Sequence, residues 1–356
     1  MVSPDVIATV LQTAISLATH SWENGTVAEA ILEWDTPSAS IWNAPFDESG
    51  NIPTLDVSNT PALSYIKPWI LTNSVTLMDG EGASGDPASV GTFAIMIGQS
   101  EKTYLDAAGR QVDHLLHDVP RWDNDPNGAI SHREDKAVLW ADFTYMVPPT
   151  LAYYAIATSD LELAKQAADQ VVKYSEVLAP NGGLWQHIVG PEAQDLGKWS
   201  TGNAWAAAGA ARVLATLRKS KFDADTKAQQ DQLIAIIKGI LDGAMALPDG
   251  LLPNYLSTEN ANCPDECFDE ISGTALLAAT AFRMAKLGPE TFGEAYKTWA
   301  TGKREAIDSH IDTTSGVVAP AVNPLNWHDS TPFTTGSPEG QAFVVLLAAA
   351  ERDLSS

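Results

Sequence analysis

Four short stretches constrain this chain more than anything else in it: "DPNGAISH", "APNGGLWQH", "LPDGLLPNY" and "TTSGVVAPA". Each follows a helical run with a polar, Gly-containing turn and then a few apolar or aromatic residues. Their glycines, Gly128, Gly183, Gly250 and Gly316, are spaced by 55, 67 and 66 residues. That interval is the length of one helical hairpin with its loops, so the spacing predicts a repeated hairpin. Gly after a last helical turn accepts the left-handed backbone that closes a helix. The segment behind each Gly is then free to carry side chains across one rim.

Between these connectors the periodicity is helical. "VIATVLQTAISLATHSW", "KTYLDAAGRQVDHLLHDV", "LELAKQAADQVVKYSEVLA", "NAWAAAGAARVLATLRKS", "AQQDQLIAIIKGILDGAMAL" and "SPEGQAFVVLLAAAERDL" place apolar residues at helical spacing, and strand-like alternation is scarce. About eleven or twelve such segments could stack as an open solenoid or close into a ring. The Ala-rich "NAWAAAGAARVLA" favours the ring, because small residues let crowded inner helices approach. The expected fold is an all-α (α/α) toroid whose rim loops gather into a cavity. No linker or low-complexity block interrupts residues 1–356, which read as one domain.

The 45 acids against 21 Lys and Arg give a net charge of −24, which argues against nucleic acid or an anionic membrane as partner. No uninterrupted apolar run reaches membrane-span length. Asn24-Gly25-Thr26 is a glycosylation sequon, and Cys263 and Cys267 in "CPDEC" suit a small disulfide loop, the alternative being free thiols. Together they lean toward secretion. A monomer or weak homodimer is expected, with no cofactor and no metal, since phosphate-binding loops and metal-ligand spacings are missing.

In "AVLWADFTYMVPPTLAYYAIAT" the one charged residue is Asp142. As a helix N-cap it would be structural, with Pro148 and Pro149 marking the first turn. As a carboxyl among apolar residues it would have a raised pKa, which suits a proton donor. Asp86 in "GEGASGDPASVG" carries the same ambiguity, since it precedes Pro87 at a plausible helix start. A pair of carboxyls can supply an acid and orient water. His132 and His187 follow two of the glycine connectors at the same relative place, so a shared rim would give them a shared site. Trp42, Trp69, Trp122, Trp140, Trp185, Trp199, Trp205 and Trp327 lie beside polar or turn residues, as either core material or platforms for sugar rings.

"LWADFTYMVPPTLAYY" resembles the W-x-D-x-x-x-M-x-x-P segment of glycoside hydrolase family 105, the unsaturated rhamnogalacturonyl hydrolases, and more distantly their sister family 88. "DPASVG", "GAISH", "GLWQH", "KWSTGNAWAAAG", "EISGTALLAATAF" and "GSPEGQAFVVLLAAAE" follow in the family's order from about residue 86 to the C-terminus. The resemblance implies an (α/α)6 barrel acting on oligosaccharides that end in a 4,5-unsaturated uronic acid. It also implies hydration of the double bond, with Asp142 as acid/base, Asp86 assisting and His187 in the site. Trp199, Asn203 and Trp205 match a W-G-R-G-N-G-W block, and Trp140 the first Trp of the Asp142 segment. Thr201 stands where that block commonly has Arg, a fork suited to a carboxylate, and neighbouring Lys198 is only a point charge. A neutral sugar is therefore an open alternative, as are an exo-glycosidase, a lyase or a non-catalytic carbohydrate-binding toroid.

Overall fold

The computed structural model describes residues 2–263 and 267–354. Twelve α-helices occur among them: α1 (Pro4–Leu17), α2 (Ser21–Asp35), α3 (Pro61–Ile66), α4 (Gly91–Gly98), α5 (Lys102–His117), α6 (Phe143–Thr158), α7 (Leu161–Leu178), α8 (Ser200–Lys219), α9 (Lys227–Met245), α10 (Ile271–Leu287), α11 (Glu294–Asp308) and α12 (Pro338–Leu354). The even-numbered helices form an inner ring in which α6 packs on α8, α8 on α10, α10 on α12 and α12 on α2. The 3-10 turn Asp86–Val90 that leads into α4 touches both α2 and α6 and closes the circle. This is the six-hairpin toroid expected from the sequence.

Inner and outer helices differ in sequence as their places require. Every residue of α8 from Ser200 to Leu217 is buried, which a helix surrounded by neighbours needs. Outer α7 buries Leu163, Ala164, Ala167, Ala168, Val171, Tyr174 and Leu178, a stripe at helical spacing with a polar opposite face. Small residues set the inner spacing: a Cβ on Gly209 would lie 2.1 Å from the Thr144 carbonyl oxygen of α6. Pro148 and Pro149 fall inside α6, past its first turn. Pro149 has no N–H for the Tyr145 carbonyl, and Arg212 Nη1 donates to that oxygen at 3.3 Å instead. Arg212 in turn pairs with Glu29, and Arg283 with Glu33 and Asp353, so these buried cations have carboxylate partners.

Three of the four connector glycines, Gly183, Gly250 and Gly316, have the expected left-handed φ of 79°, 90° and 73°. They sit in turns beyond the helix ends, since α7 already stops at Leu178. Gly128 is needed for a different reason: a Cβ there would lie 2.6 Å from the Trp122 carbonyl oxygen. The segments behind the glycines form short rim ladders, Leu139–Trp140 on Ile188–Val189 and Leu252–Pro253 on Asp269–Glu270.

Cys263 and Cys267 are joined in a disulfide. The sequon reading fails. Asn24 is 0% exposed within α2, donating to the His20 carbonyl and accepting from Tyr65 Oη at 2.8 Å, so no glycan can be carried there in the folded chain.

Candidate active site

Because the inner helices run the same way, their N-terminal ends gather at one rim. A cavity of about 260 Å³ opens there. Its acids come from helix starts: Asp86 opens the turn into α4, Asp142 precedes α6, and Glu339 lies in the first turn of α12. Helix N-termini favour negative charge, so this end suits carboxylates of the protein and of a ligand. Trp22 in the first turn of α2, Trp140, Trp199, Trp327 and the exposed Leu325 add apolar surface, and Arg133 and Glu81 stand at the wall. The volume sits just below the roughly 300 Å³ at which pockets for drug-sized ligands begin, and fits one ring with the rest of a chain outside.

Asp142 occupies the N-cap position of α6 but makes no capping hydrogen bond. Its Oδ2 has no hydrogen-bond partner among the described residues and lies 3.6 Å from His187 Nε2. His187 is fixed from both sides: its N–H donates to the Gly197 carbonyl, and its own carbonyl accepts from Ala141 N–H at 2.9 Å. The connector loop and the Asp142 segment are thereby locked together. Burial lowers the proton affinity of the imidazole, but Asp142 and Asp195 more than offset this, and the His187 pKa is raised. His132 fares otherwise. It stacks on Trp140 with centroids 4.9 Å apart, and burial outweighs Asp142, bringing its pKa to about 4. Of two histidines at matching repeat positions, one thus has its proton affinity raised and the other lowered.

Asp86 is strongly altered by its surroundings. Burial, then the like charge of Asp142, push it up to about 8, with Arg133 opposing. Its Oδ1 lies 3.6 Å from His132 Nε2. Glu339 is also raised well above the usual carboxylate range, by burial and by Asp142.

Of the residues singled out in the sequence, Asp86, Asp142, His132, His187, Trp140 and Trp199 line the cavity together. Asn203, Thr201, Trp205 and Lys198 do not. Asn203 accepts from Trp185 N–H and donates to the Trp185 and Trp199 carbonyls, so it holds the wall from behind. Thr201 is buried against Glu270 at 3.4 Å. Trp205 is a core residue between Tyr145 and Phe343. Lys198 is half-buried outside the lining, and its pKa is lowered by burial. Among the loop tryptophans, Trp42 and Trp185 belong to the core and Trp69 is exposed.

Sequence reasoning passed over Trp22, Glu81, Arg133, Glu339 and Asp195. Arg133 and Glu339 had a signal, since each lies beside or within a block already singled out, "GAISH" and "GSPEGQAF". Asp195, in the polar loop "PEAQDLGK", had none.

The profile described as Glycosyl Hydrolase Family 88 matches residues 79–351, which span every residue of the cavity except Trp22. The chain belongs to this family. It is a glycoside hydrolase, and the resemblance to families 105 and 88 holds. Among solved structures, a possible member of the GH105 family from Klebsiella pneumoniae superposes with a TM-score of 0.74 at 14% identity, covering 100% of this chain and 95% of that one. A glycosyl hydrolase family 88 protein from Bacteroides vulgatus gives 0.66 at 16% identity, covering 98% and 97%. The unsaturated glucuronyl hydrolase of Bacillus sp. GL1, responsible for degradation of glycosaminoglycan, gives 0.62 at 15% identity, covering 99% and 97%. At these identities the likeness is one of fold. No curated protein matches the chain by sequence.

Proposed function

We propose that this family 88 hydrolase removes a 4,5-unsaturated uronic acid from the non-reducing end of lyase-generated oligosaccharides, pectic ones first, by hydrating the double bond. The observation that carries this reading is the charge pattern of the cavity. Two basic groups, Arg133 and His187, the latter with its proton affinity raised by neighbouring carboxylates, face two carboxyls, Asp86 and Glu339, whose proton affinities burial raises. An anionic sugar can therefore enter a chain of net charge −24. The Arg missing at Thr201 matters less for a uronate, because Thr201 is outside the lining and Arg133 brings a guanidinium fork within it.

Asp86 and Asp142 interact as like charges, and Asp86 keeps its proton up to about 8. One member supplies a proton to C4 and the other, as carboxylate, takes a proton from the water that attacks C5. Asp142 is the acid/base of this reading, on the match of its segment to the family motif, and Asp86 is its proton-holding partner. Water addition turns the enol ether into a hemiketal at C5, the ring opens to a ketone, and C1 releases the aglycone as an alcohol. Trp140, Trp199 and Trp327 offer faces for the ring. We also place the protein outside the cell, a reading the Cys263–Cys267 disulfide supports.

The reaction destroys the conjugation between the C4–C5 double bond and the carboxylate. Incubation with pectic, glucuronan-derived and glycosaminoglycan-derived unsaturated disaccharides should bleach their ultraviolet absorbance in at least one case. Absorbance that stays intact across the panel would refute the hydration reading, and absorbance that appears from intact polysaccharide would make the protein a lyase.

A further inference from the structure

Behind His187, on the side away from the cavity, lies a short chain of buried polar groups. His187 Nδ1 is 2.9 Å from Asp195 Oδ2, and Tyr255 Oη donates to the same oxygen at 2.8 Å. The other oxygen of Asp195 accepts from the Gly197 amide at 3.0 Å. All three side chains are buried, His187 fully so. Asp195 reaches this place because residues 188 and 195 pair as an antiparallel bridge, folding the polar loop back under the histidine. Tyr255 is set by its own bridge to Trp199, whose indole donates to Asn254 and whose ring lies 4.3 Å from the His187 ring.

We propose that Asp195 and Tyr255 are positioning residues of the hydration reaction, fixing the Nδ1–H of His187 on Asp195 so that Nε2 presents a proton to Asp142 and the bound sugar. This rests on the hydrolase reading above for its chemistry, but not for its geometry. A buried imidazole with a carboxylate on one nitrogen has its tautomer and orientation decided by that carboxylate. Nε2 has no hydrogen-bond partner among the described residues, so its proton is free for the cavity. The charged and titratable groups around the ring are Asp142 on one side, Asp195 with Tyr255 on the other, and His132, whose proton affinity His187 lowers. The rings of Trp140, Trp199 and Trp327 fill the remaining space and exclude water. Burial works against a charged His187, and the two carboxylates overcome it. The Tyr255 hydrogen bond keeps Asp195 from swinging away and also tempers its charge.

These roles make opposite predictions for two variants. Asp195→Asn removes the charge behind the ring, and the His187 pKa, read from its ring resonances by ¹⁵N–¹H NMR on the free enzyme, should fall by about one unit or more. Tyr255→Phe removes the tempering donor, and the same pKa should rise while kcat falls through looser positioning. In both variants the loss should appear in kcat more than in KM. A folded Asp195→Asn protein with an unmoved His187 pKa overturns the proposal. Should that variant not fold, an unmoved or lowered pKa in Tyr255→Phe does so. Since the NMR readout needs no substrate, failure of every unsaturated uronide in the turnover assay would strike the hydrolase reading without mimicking this result.

Discussion

Replacing Asp86 by Asn should stabilise the protein and inactivate it, and the stabilisation should grow with pH. In the unfolded chain Asp86 loses its proton near pH 4, whereas in the folded chain it keeps it to about 8. Between those values the folded state binds one more proton than the unfolded state, so stability falls by about 1.4 kcal/mol per pH unit. At pH 7 the accumulated cost is about 4 kcal/mol, an upper limit because the carboxyl borders the cavity and is 13% exposed. Asn reproduces the shape of the protonated acid without the titration, so its stability should lack this cost. For 356 residues the unfolding entropy is about 0.7 kcal/mol/K, and the Tm of Asp86→Asn should exceed wild type by up to about 5 °C at pH 7 and about 2 °C at pH 5. His132 contributes with the opposite sign. Its folded pKa of about 4 lies below the unfolded value, so its contribution to stability rises with pH from 4 to 6.5. Glu33, Glu270, Glu339 and His187, whose proton affinities are also raised by the fold, titrate like His132 in both proteins, so the difference in Tm between Asp86→Asn and wild type isolates Asp86. Thermal unfolding at pH 5, 6, 7 and 8, followed by circular dichroism, reads both. A Tm difference that is flat with pH, or an Asp86→Asn protein less stable than wild type at pH 7, would refute a desolvated, proton-holding Asp86.

Asp142→Asn should cut turnover of an unsaturated disaccharide by roughly 10²- to 10⁴-fold with the helical circular dichroism spectrum unchanged, because its side chain makes no capping bond to lose. A collapsed spectrum would return Asp142 to a structural role. Arg133→Ala should raise KM for a uronate substrate by about 10- to 100-fold, the worth of a charge-assisted hydrogen bond, and Arg133→Lys should recover only part. Equal KM values in steady-state kinetics would remove Arg133 from substrate binding. Gly209→Ala, far from the chemistry, should cost about 1–3 kcal/mol because its Cβ would strike the Thr144 carbonyl of a neighbouring inner helix. A Tm lowered by up to about 4 °C with kcat retained is the expected outcome.

The difference between what the sequence disclosed and what it withheld follows from the range over which each feature is decided. The toroid was legible because helical periodicity, spaced glycines and an Ala-rich inner helix are local signals repeated along the chain. The two acids and two histidines were legible because each broke a local pattern, Asp142 most plainly. Their charge states were not, since these depend on what faces each group across the cavity. Burial lowers the proton affinity of His132 and raises that of Asp86, while the carboxylates on either side of His187 raise its own, and none of this is written in the neighbouring residues of the chain. The sequon misled for a similar reason: three correct residues say nothing about a helix that will be buried on every side. Trp205 and Thr201 belong to a motif that spans the first turns of an inner helix, and successive residues of such a helix point to different neighbours. A contiguous block can therefore contain both Trp199, on the cavity, and Trp205, deep in the core. Asp195 shows the limit most clearly. Its neighbours in sequence mark an ordinary polar loop, and only the fold of that loop beneath His187 brings its carboxylate to the imidazole.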